Sequence, residues 1–356
     1  MMHEQEINMK KIIASLALAV GLATPALGDI TFVVPQKPGG GTTVWAEIVT
    51  RELEKHLGES ITLKLIPGAR DIPGINAWHN EHRFDEKTIV VTHGGNGVSF
   101  LQEEVDYNYA EYESIGLMNL NIIAGKRKGE NMDKPRFPAG SGMVPEAFAM
   151  TMLICGPDKS VDEYIACFRD NVTWVKGMSG SERRLAFKRG ELNGTRENPA
   201  TYQKHVTPDE NAELWFHHGL LDPATGNHND DPNFAGYQFE ILFEQRYGVA
   251  PSGEFYDAYK LVKSFRDGLQ KAIWINKNNP NRQKLVDALT AMANDPESTA
   301  AIEAKNGKYE WYIGDRGNQM RDTLMTFITK DALQNLVKFN KEALGLNSVY
   351  KENLTK

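Results

Sequence analysis

The sequence has few cysteines, no excess of positive charge and no apolar run long enough to cross a membrane. Only two of its 356 residues are cysteines, which excludes a disulfide-rich scaffold. The 40 Lys and Arg residues are outnumbered by 47 Asp and Glu residues, so nucleic acid and anionic membranes are excluded as main partners. The most apolar run, residues 12–22, is well short of the roughly 20 residues that a transmembrane helix needs. We therefore expect no direct insertion into a membrane.

Motifs of the common enzyme classes are also missing. There is no G-x-S-x-G nucleophile elbow, no H-E-x-x-H zinc motif, and no Gly-Lys-Ser/Thr after the glycine runs. Histidines and aspartates between residues 217 and 231 match no zinc or calcium spacing, and we expect that loop to be exposed. The sequence therefore predicts no catalytic residue, no cofactor and no metal site. A secreted hydrolase is the weakest of the functional alternatives.

Residues 1–28 have the pattern of a cleaved secretory signal peptide. Lys10 and Lys11 precede the apolar run, and Ala26-Leu27-Gly28 matches the small-x-small cleavage pattern. Export through this peptide predicts a periplasmic protein. The remaining chain is too long for one typical hydrophobic core, which indicates two lobes.

The two cysteines, Cys155 and Cys167, are twelve residues apart. In an oxidising compartment this spacing permits a disulfide between neighbouring helices. Two buried thiols are equally compatible with it, because spacing alone does not set the geometry of a disulfide.

The stretch after the signal peptide indicates an anion-binding turn. Residues 30–34, ITFVV, have the composition of a buried strand, and Pro35 and Pro38 end it. Three glycines follow, and Thr42 and Thr43 are expected to cap the helix after them. A glycine turn before a helix presents bare N–H groups and the positive end of the helix dipole, which together favour a negatively charged ligand.

The same order of strand, glycine turn and helix returns at residues 88–102. Strands that alternate with helices predict an α/β fold with a parallel sheet. The loops at the carboxyl ends of such strands are where open α/β sheets bind ligands. The second turn, His93-Gly94-Gly95-Asn96-Gly97, is therefore a second candidate for ligand contact.

The order of these turns resembles the solute-binding proteins of tripartite tricarboxylate transporters, the Bug-type periplasmic receptors. That family opens with V-P-x-x-P-G-G-G-T-D, and residues 34–43 read VPQKPGGGTT. Its later turns and helices, R-P-G-A-G-G, G-S-G, K-G, L-L-x-G-E-V-D and A-D-P-E, are similar to residues 66–71, 139–142, 176–177, 185–193 and 294–297. The resemblance extends over the whole mature chain.

The resemblance implies a two-lobed, type II periplasmic binding protein that closes on its ligand like a flytrap. It implies a first lobe of residues 29–123 plus 271–356, a second lobe of 124–270, and strands that cross between them. The implied ligand is a small organic acid held by backbone N–H groups and hydroxyls. The implied partners are two integral membrane subunits of the transporter. A sensor subunit that binds the same ligands for signalling is the alternative.

The resemblance also places the ligand contacts in turns of both lobes. Three departures from the family bear on them: Thr43 replaces an aspartate, Arg70-Asp71 replaces a Gly-Gly pair, and the second lobe carries an unusual segment around Arg196. If buried, Arg196 would clamp a carboxylate; if exposed, it would pair with Glu197. The predicted ligand-binding residues are Pro38, Gly39, Gly40, Gly41, Thr42, Thr92, His93, Gly94, Asn96, Ser141, Gly142, Met143, Gly177, Ser179 and Arg196.

Overall fold

The computed structural model describes residues 30–102, 105–139 and 145–354. The predicted signal peptide, residues 1–28, lies outside these residues, as do three predicted ligand contacts, Ser141, Gly142 and Met143. Within the described ranges, no helix combines the length and the apolar character that crossing a membrane requires.

The chain alternates between strands and helices, as an α/β fold requires. The strands are β1 (Ile30–Val34), β2 (Ile61–Leu65), β3 (Thr88–His93), β4 (Tyr112–Met118), β5 (Ile123–Arg127), β6 (Arg136–Pro138), β7 (Thr173–Val175), β8 (Gly194–Glu197), β9 (Ala212–His217), β10 (Leu220–Leu221), β11 (His228–Asn229), β12 (Lys271–Asn276) and β13 (Trp311–Ile313). The α-helices are α1 (Gly41–Leu57), α2 (Ile72–Ala77), α3 (Gly94–Gln102), α4 (Pro145–Cys155), α5 (Val161–Asn171), α6 (Gly180–Lys188), α7 (Pro199–His205), α8 (Phe239–Tyr247), α9 (Glu254–Gly268), α10 (Arg282–Asn294), α11 (Pro296–Asn306), α12 (Asp315–Thr326) and α13 (Lys330–Glu342).

The first lobe is built on a six-stranded sheet with the strand order β13-β4-β12-β3-β1-β2. Strand β1 pairs in parallel with β2 and β3, as the repeated strand–turn–helix order predicts. Strand β12 runs antiparallel between β3 and β4. Because β1, β3 and β12 are almost continuous apolar runs, the centre of this sheet is buried on both faces.

The second lobe is built on smaller sheets. Strands β8, β5 and β9 form an antiparallel sheet, and β6 pairs in parallel with β7. The predicted crossing strand over residues 114–124 is two strands, because β4 ends at Met118 and β5 begins at Ile123. Residues 119–122 therefore connect the six-stranded sheet to the three-stranded sheet.

Large apolar clusters cover both faces of the six-stranded sheet. One face packs against α1 and α10 through residues such as Trp45 and Leu289. The other face packs against α3 and α9, and its cluster continues into α4 and α13 through Phe148 and Phe339. The proposed domain bounds, 29–123 plus 271–356 and 124–270, stay a prediction.

Two local features complete the fold. Helices α12 and α13 are separate, because the chain turns at Phe327 and Thr329 caps the second helix. Cys155, at the end of α4, is disulfide-bonded to Cys167 in α5, with the Cα atoms 6.3 Å apart.

Candidate functional site

The start of α1 opens into two cavities that share Gly41. One cavity, of about 300 Å³, which we call the interlobe cavity, is also lined by Lys271, at the start of β12 in the six-stranded sheet, and by Asn198, directly after β8 in the three-stranded sheet. The other, of about 480 Å³, lies over Pro67, Gly68 and Asp71. A Cβ atom on Gly41 would meet no atom within 4 Å, so the space in front of this helix start is open. Small-molecule sites usually have volumes in this range.

The interlobe cavity brings together parts of the chain that are distant in sequence. Its second-lobe wall is the beginning of α7, where the side chain of Asn198 accepts a hydrogen bond from the backbone N–H of Thr201 at 2.8 Å. The described residues that line it are Gly41, Val44, Trp45, Met118, Leu120, Asn198, Ala200, Thr201, Gln270, Lys271, Lys305 and Tyr309. Its mixed polar and apolar lining suits a small ligand with an anionic end.

Lys271 is the main cationic group of this cavity. It is the first residue of β12, and its Nζ donates a hydrogen bond to Thr42 Oγ1 at 2.9 Å. Burial, together with the positive charge of Arg266, lowers the pKa of Lys271 to about 7. A lysine with so perturbed a pKa in a cleft is a strong candidate for ligand contact.

Asp71 is the acidic group of the second cavity. Three side chains meet at its Oδ2 atom: His93 Nε2 at 2.5 Å, Gln36 Nε2 at 3.3 Å and Asn96 Nδ2 at 3.3 Å. Burial lowers the pKa of His93, and the neighbouring Lys271 adds to this, although Asp71 opposes the shift. His93 is therefore largely neutral at pH 7 and adds no full positive charge beside Asp71.

Gln36 connects this acidic cluster to the helix start. Its Oε1 accepts a hydrogen bond from the backbone N–H of Thr42 at 3.0 Å, and its Nε2 lies 2.9 Å from His93 Nε2. The expectation that Thr42 and Thr43 cap α1 was wrong. The helix begins at Gly41, no side chain caps it from the preceding Gly40, and the Thr43 hydroxyl donates to the carbonyl of Lys37 at 2.9 Å.

The residues of the first predicted glycine turn differ in whether they line a cavity. Gly40 and Gly41 line the cavity over Asp71, while Pro38 and Gly39 are exposed, and Gly39 has a φ of 74° that favours glycine. Thr42 contributes its hydroxyl and N–H groups to the contacts already described.

In the second turn, His93 and Asn96 lie beside Asp71, but two of their neighbours contact other groups. The Thr92 hydroxyl accepts a hydrogen bond from Trp274 Nε1 at 2.8 Å inside the core. The backbone N–H of Gly94 donates to Gln270 Oε1 at 3.1 Å. These polar groups are thus already satisfied by the protein itself.

The predicted second-lobe contacts are also engaged within the protein. Arg196 is buried on β8 and donates to Glu146 Oε2 at 3.2 Å, while Glu197 pairs with Arg184 at 3.3 Å. The suggested pairing of Arg196 with Glu197 is therefore not formed, because the alternating strand sends the two side chains to opposite faces. Ser179 caps α6, and the exposed Gly177 has a φ of 87° two residues before that cap.

His217 and His218 do not lie on an exposed loop, contrary to expectation, whereas His228 is half-buried between exposed residues. His217 and His218 are fully buried. His217 Nε2 lies 3.0 Å from Asp230 Oδ1, and His218 Nδ1 lies 2.8 Å from Tyr259 Oη. Across the described residues, no group of three or more His, Cys, Asp or Glu side chains is arranged to hold a metal ion.

Sequence reasoning missed Lys271, Gln36 and Gln270 as site residues. Lys271 is the first residue of the stretch KAIWI, residues 271–275. A single lysine at the start of an otherwise apolar strand was the signal that could have singled it out. Gln36 and Gln270 carry no such signal, since their roles depend on contacts with residues elsewhere in the chain.

Known structures with the same fold are periplasmic binding proteins. A TctC solute-binding protein from Polaromonas is 13% identical, with 86% of this chain and 97% of that chain covered and a TM-score of 0.57. The periplasmic binding protein BugD is 15% identical, with 88% and 97% covered and a TM-score of 0.52. The R. palustris protein Rpa4515, solved with adipate, is 13% identical, with 90% and 98% covered and a TM-score of 0.53.

These similarities establish the fold, because they extend over nearly the whole described chain. No protein-family model matches the sequence, and no curated protein does. The protein therefore has the α/β fold of two-lobed periplasmic solute-binding proteins. Within that class, its fold is similar to the TctC and Bug type, as the sequence motifs predict.

Proposed function

We propose that this protein is a periplasmic solute-binding receptor that captures a small organic acid between its two lobes. The observation that carries the proposal is the interlobe cavity, in which Lys271 and the open start of α1 face the second lobe at Asn198. A structure with the same fold holds adipate, a dicarboxylate, which supports this ligand class. The sequence pattern of residues 1–28 supports export to the periplasm.

The cavity explains how a carboxylate would be held. The Lys271 ammonium is a direct ionic partner, and the dipole of the 17-residue helix α1 adds partial positive charge at Gly41. A carboxylate beside Lys271 stabilises its charged form and so raises its pKa from about 7. No covalent chemistry on the ligand belongs to this function.

The two sides of the cavity explain how binding would change the protein's shape. In the proposed division of the chain, Gly41 and Lys271 belong to the first lobe, while Asn198 and Thr201 belong to the second. A ligand that contacts both lobes favours the closed arrangement by its differential affinity for it. In this proposal the closed, loaded form is what two integral membrane subunits of a tripartite tricarboxylate-type transporter receive.

Gly41→Val is the variant that tests the site. The new side chain enters open space and projects into both cavities, so it blocks the ligand without a clash inside the lobe. Gly40→Val is unsuitable, because a Cβ there would lie 2.8 Å from Gln36 Oε1 and 3.1 Å from the Lys37 carbonyl oxygen. Glu47→Ala, at an exposed position of the same helix, is the matched control.

The experiment is titration calorimetry with succinate, glutarate and adipate on the wild type and both variants. We expect the wild type and Glu47→Ala to bind at least one acid, and Gly41→Val to lose about tenfold or more in affinity at an unchanged melting temperature. Equal affinity in Gly41→Val would place the ligand elsewhere. No binding of any acid by the wild type would contradict the proposed ligand class.

A further inference from the structure

We propose that Asp71 selects a ligand that carries a protonated amine as well as a carboxylate. This inference rests on the proposed function and names the substrate class of the same cleft. The Asp71 carboxylate is the acceptor for the amine, and Lys271 and the start of α1 receive the ligand's carboxylate.

The geometry of Asp71 is that of a fixed acceptor. Its Oδ2 atom is held by His93, Gln36 and Asn96 at 2.5 to 3.3 Å. Its Oδ1 atom accepts no hydrogen bond from any side chain or backbone group in the described part of the chain, and the residue lines the cavity of about 480 Å³. A carboxylate with one oxygen immobilised and the other open suits a charged donor of a ligand, since charge-assisted hydrogen bonds are the stronger ones.

The backbone conformation at Asp71 also supports a functional role for its side chain. Arg70 and Asp71 have φ values of 52° and 63°, a left-handed conformation that is uncommon for residues other than glycine. Asp71 is also the N-cap residue of α2, but its side chain makes no capping hydrogen bond. An aspartate at that position ordinarily bonds the helix N–H groups. Here the strained turn directs the carboxylate to His93 and the cavity instead, and strain of this kind collects at functional sites.

The charges around the two cavities complement a ligand with both signs. Gly41 lines both cavities, so one small molecule can reach Lys271 on one side and Asp71 on the other. The neutral His93 adds no full positive charge beside Asp71, and among the described residues that line the cavity the one other charged residue is the exposed Lys37. An acid without an amine would bring a second negative charge or an apolar carbon to Asp71, and either one weakens binding.

The test uses pairs of acids that differ only in the amine. Titration calorimetry is run with aspartate and succinate, glutamate and glutarate, and 2-aminoadipate and adipate, with malate as the hydroxyl analogue of aspartate. The proteins are the wild type, Asp71→Asn and Glu244→Gln. Asparagine tolerates the left-handed backbone and keeps the shape of the side chain, and Glu244 is exposed on α8 and gives the same change in net charge.

In at least one pair, we expect the wild type and Glu244→Gln to bind the acid that carries the amine about tenfold or more tightly than the acid that lacks it. We expect Asp71→Asn to lose that preference. The inference is overturned if the wild type favours the acid without the amine, if malate binds as tightly as aspartate, or if Asp71→Asn keeps the preference. In those three results the receptor function still stands. If no acid of any pair binds, the proposed function fails and the inference fails with it.

Discussion

Replacing Lys271 with methionine separates what this residue does for binding from what it does for stability. Its ammonium lies in the cleft, with Thr42 Oγ1 at 2.9 Å as its hydrogen-bond acceptor. Methionine retains most of the length and apolar surface of the side chain but not the charge. We expect Lys271→Met to bind organic acids more weakly and to unfold at a higher temperature than the wild type at acidic and neutral pH.

The expected stabilisation follows from the pKa of Lys271. Its value falls from 10.5 to about 7 on folding, so the folded protein binds this proton less readily than the unfolded chain. The resulting destabilisation grows as pH falls from 10.5 to 7 and is complete below 7. At about 1.4 kcal/mol per pKa unit it is at most about 5 kcal/mol, and the partial exposure of the side chain reduces it.

The assay is a thermal unfolding series of the wild type and Lys271→Met at pH 6 and pH 10, without ligand. We expect the variant to melt several degrees higher at pH 6 and the difference to shrink at pH 10. Lys159→Met, at an exposed position between α4 and α5, should change neither stability nor affinity. A variant that is less stable than the wild type at both pH values and binds ligand normally would refute the reasoning.

The remaining predictions concern polar groups that the protein itself satisfies. Thr92→Val should lower the free energy of unfolding by about 1–3 kcal/mol, because it leaves the buried Trp274 Nε1–H without its acceptor, while titration calorimetry shows unchanged ligand affinity. A loss of affinity at full stability would show instead that the Thr92 hydroxyl contacts ligand. Arg196→Met should cost about 3–5 kcal/mol in chemical denaturation, because Glu146 is fully buried and loses its charged partner. Unchanged stability would show that Glu146 is held by other groups.

The parts of the fold that local sequence determines were predicted well. The strand at residues 30–34 is β1, and the strand at 88–92 lies within β3, because short apolar runs that end in glycine turns leave few alternatives. Their parallel pairing followed from the helix between them. The antiparallel insertion of β12 was not predicted, since its strand neighbours lie more than 150 residues earlier in the chain.

The candidate site was predicted in part, through the glycine turns and through Thr42, His93 and Asn96, whose side chains contact Lys271 or Asp71. Gly40 and Gly41, which line the cavity over Asp71, could be singled out because a glycine turn before a helix is a local pattern. Lys271 was missed because it meets Thr42 across 229 positions of the sequence. Asp71 was noted only as a departure from the family pattern, because its contact with His93 depends on the tertiary fold and not on any local pattern.

The central claim is that the cleft at Gly41 and Lys271 holds a small organic acid. Native mass spectrometry of the wild type and Gly41→Val, purified side by side and then incubated with the same acids, tests it most directly. We predict a one-to-one adduct with at least one acid on the wild type, and its absence from a folded Gly41→Val protein. An adduct of equal abundance on both proteins, or none on the wild type with any acid, would contradict the account.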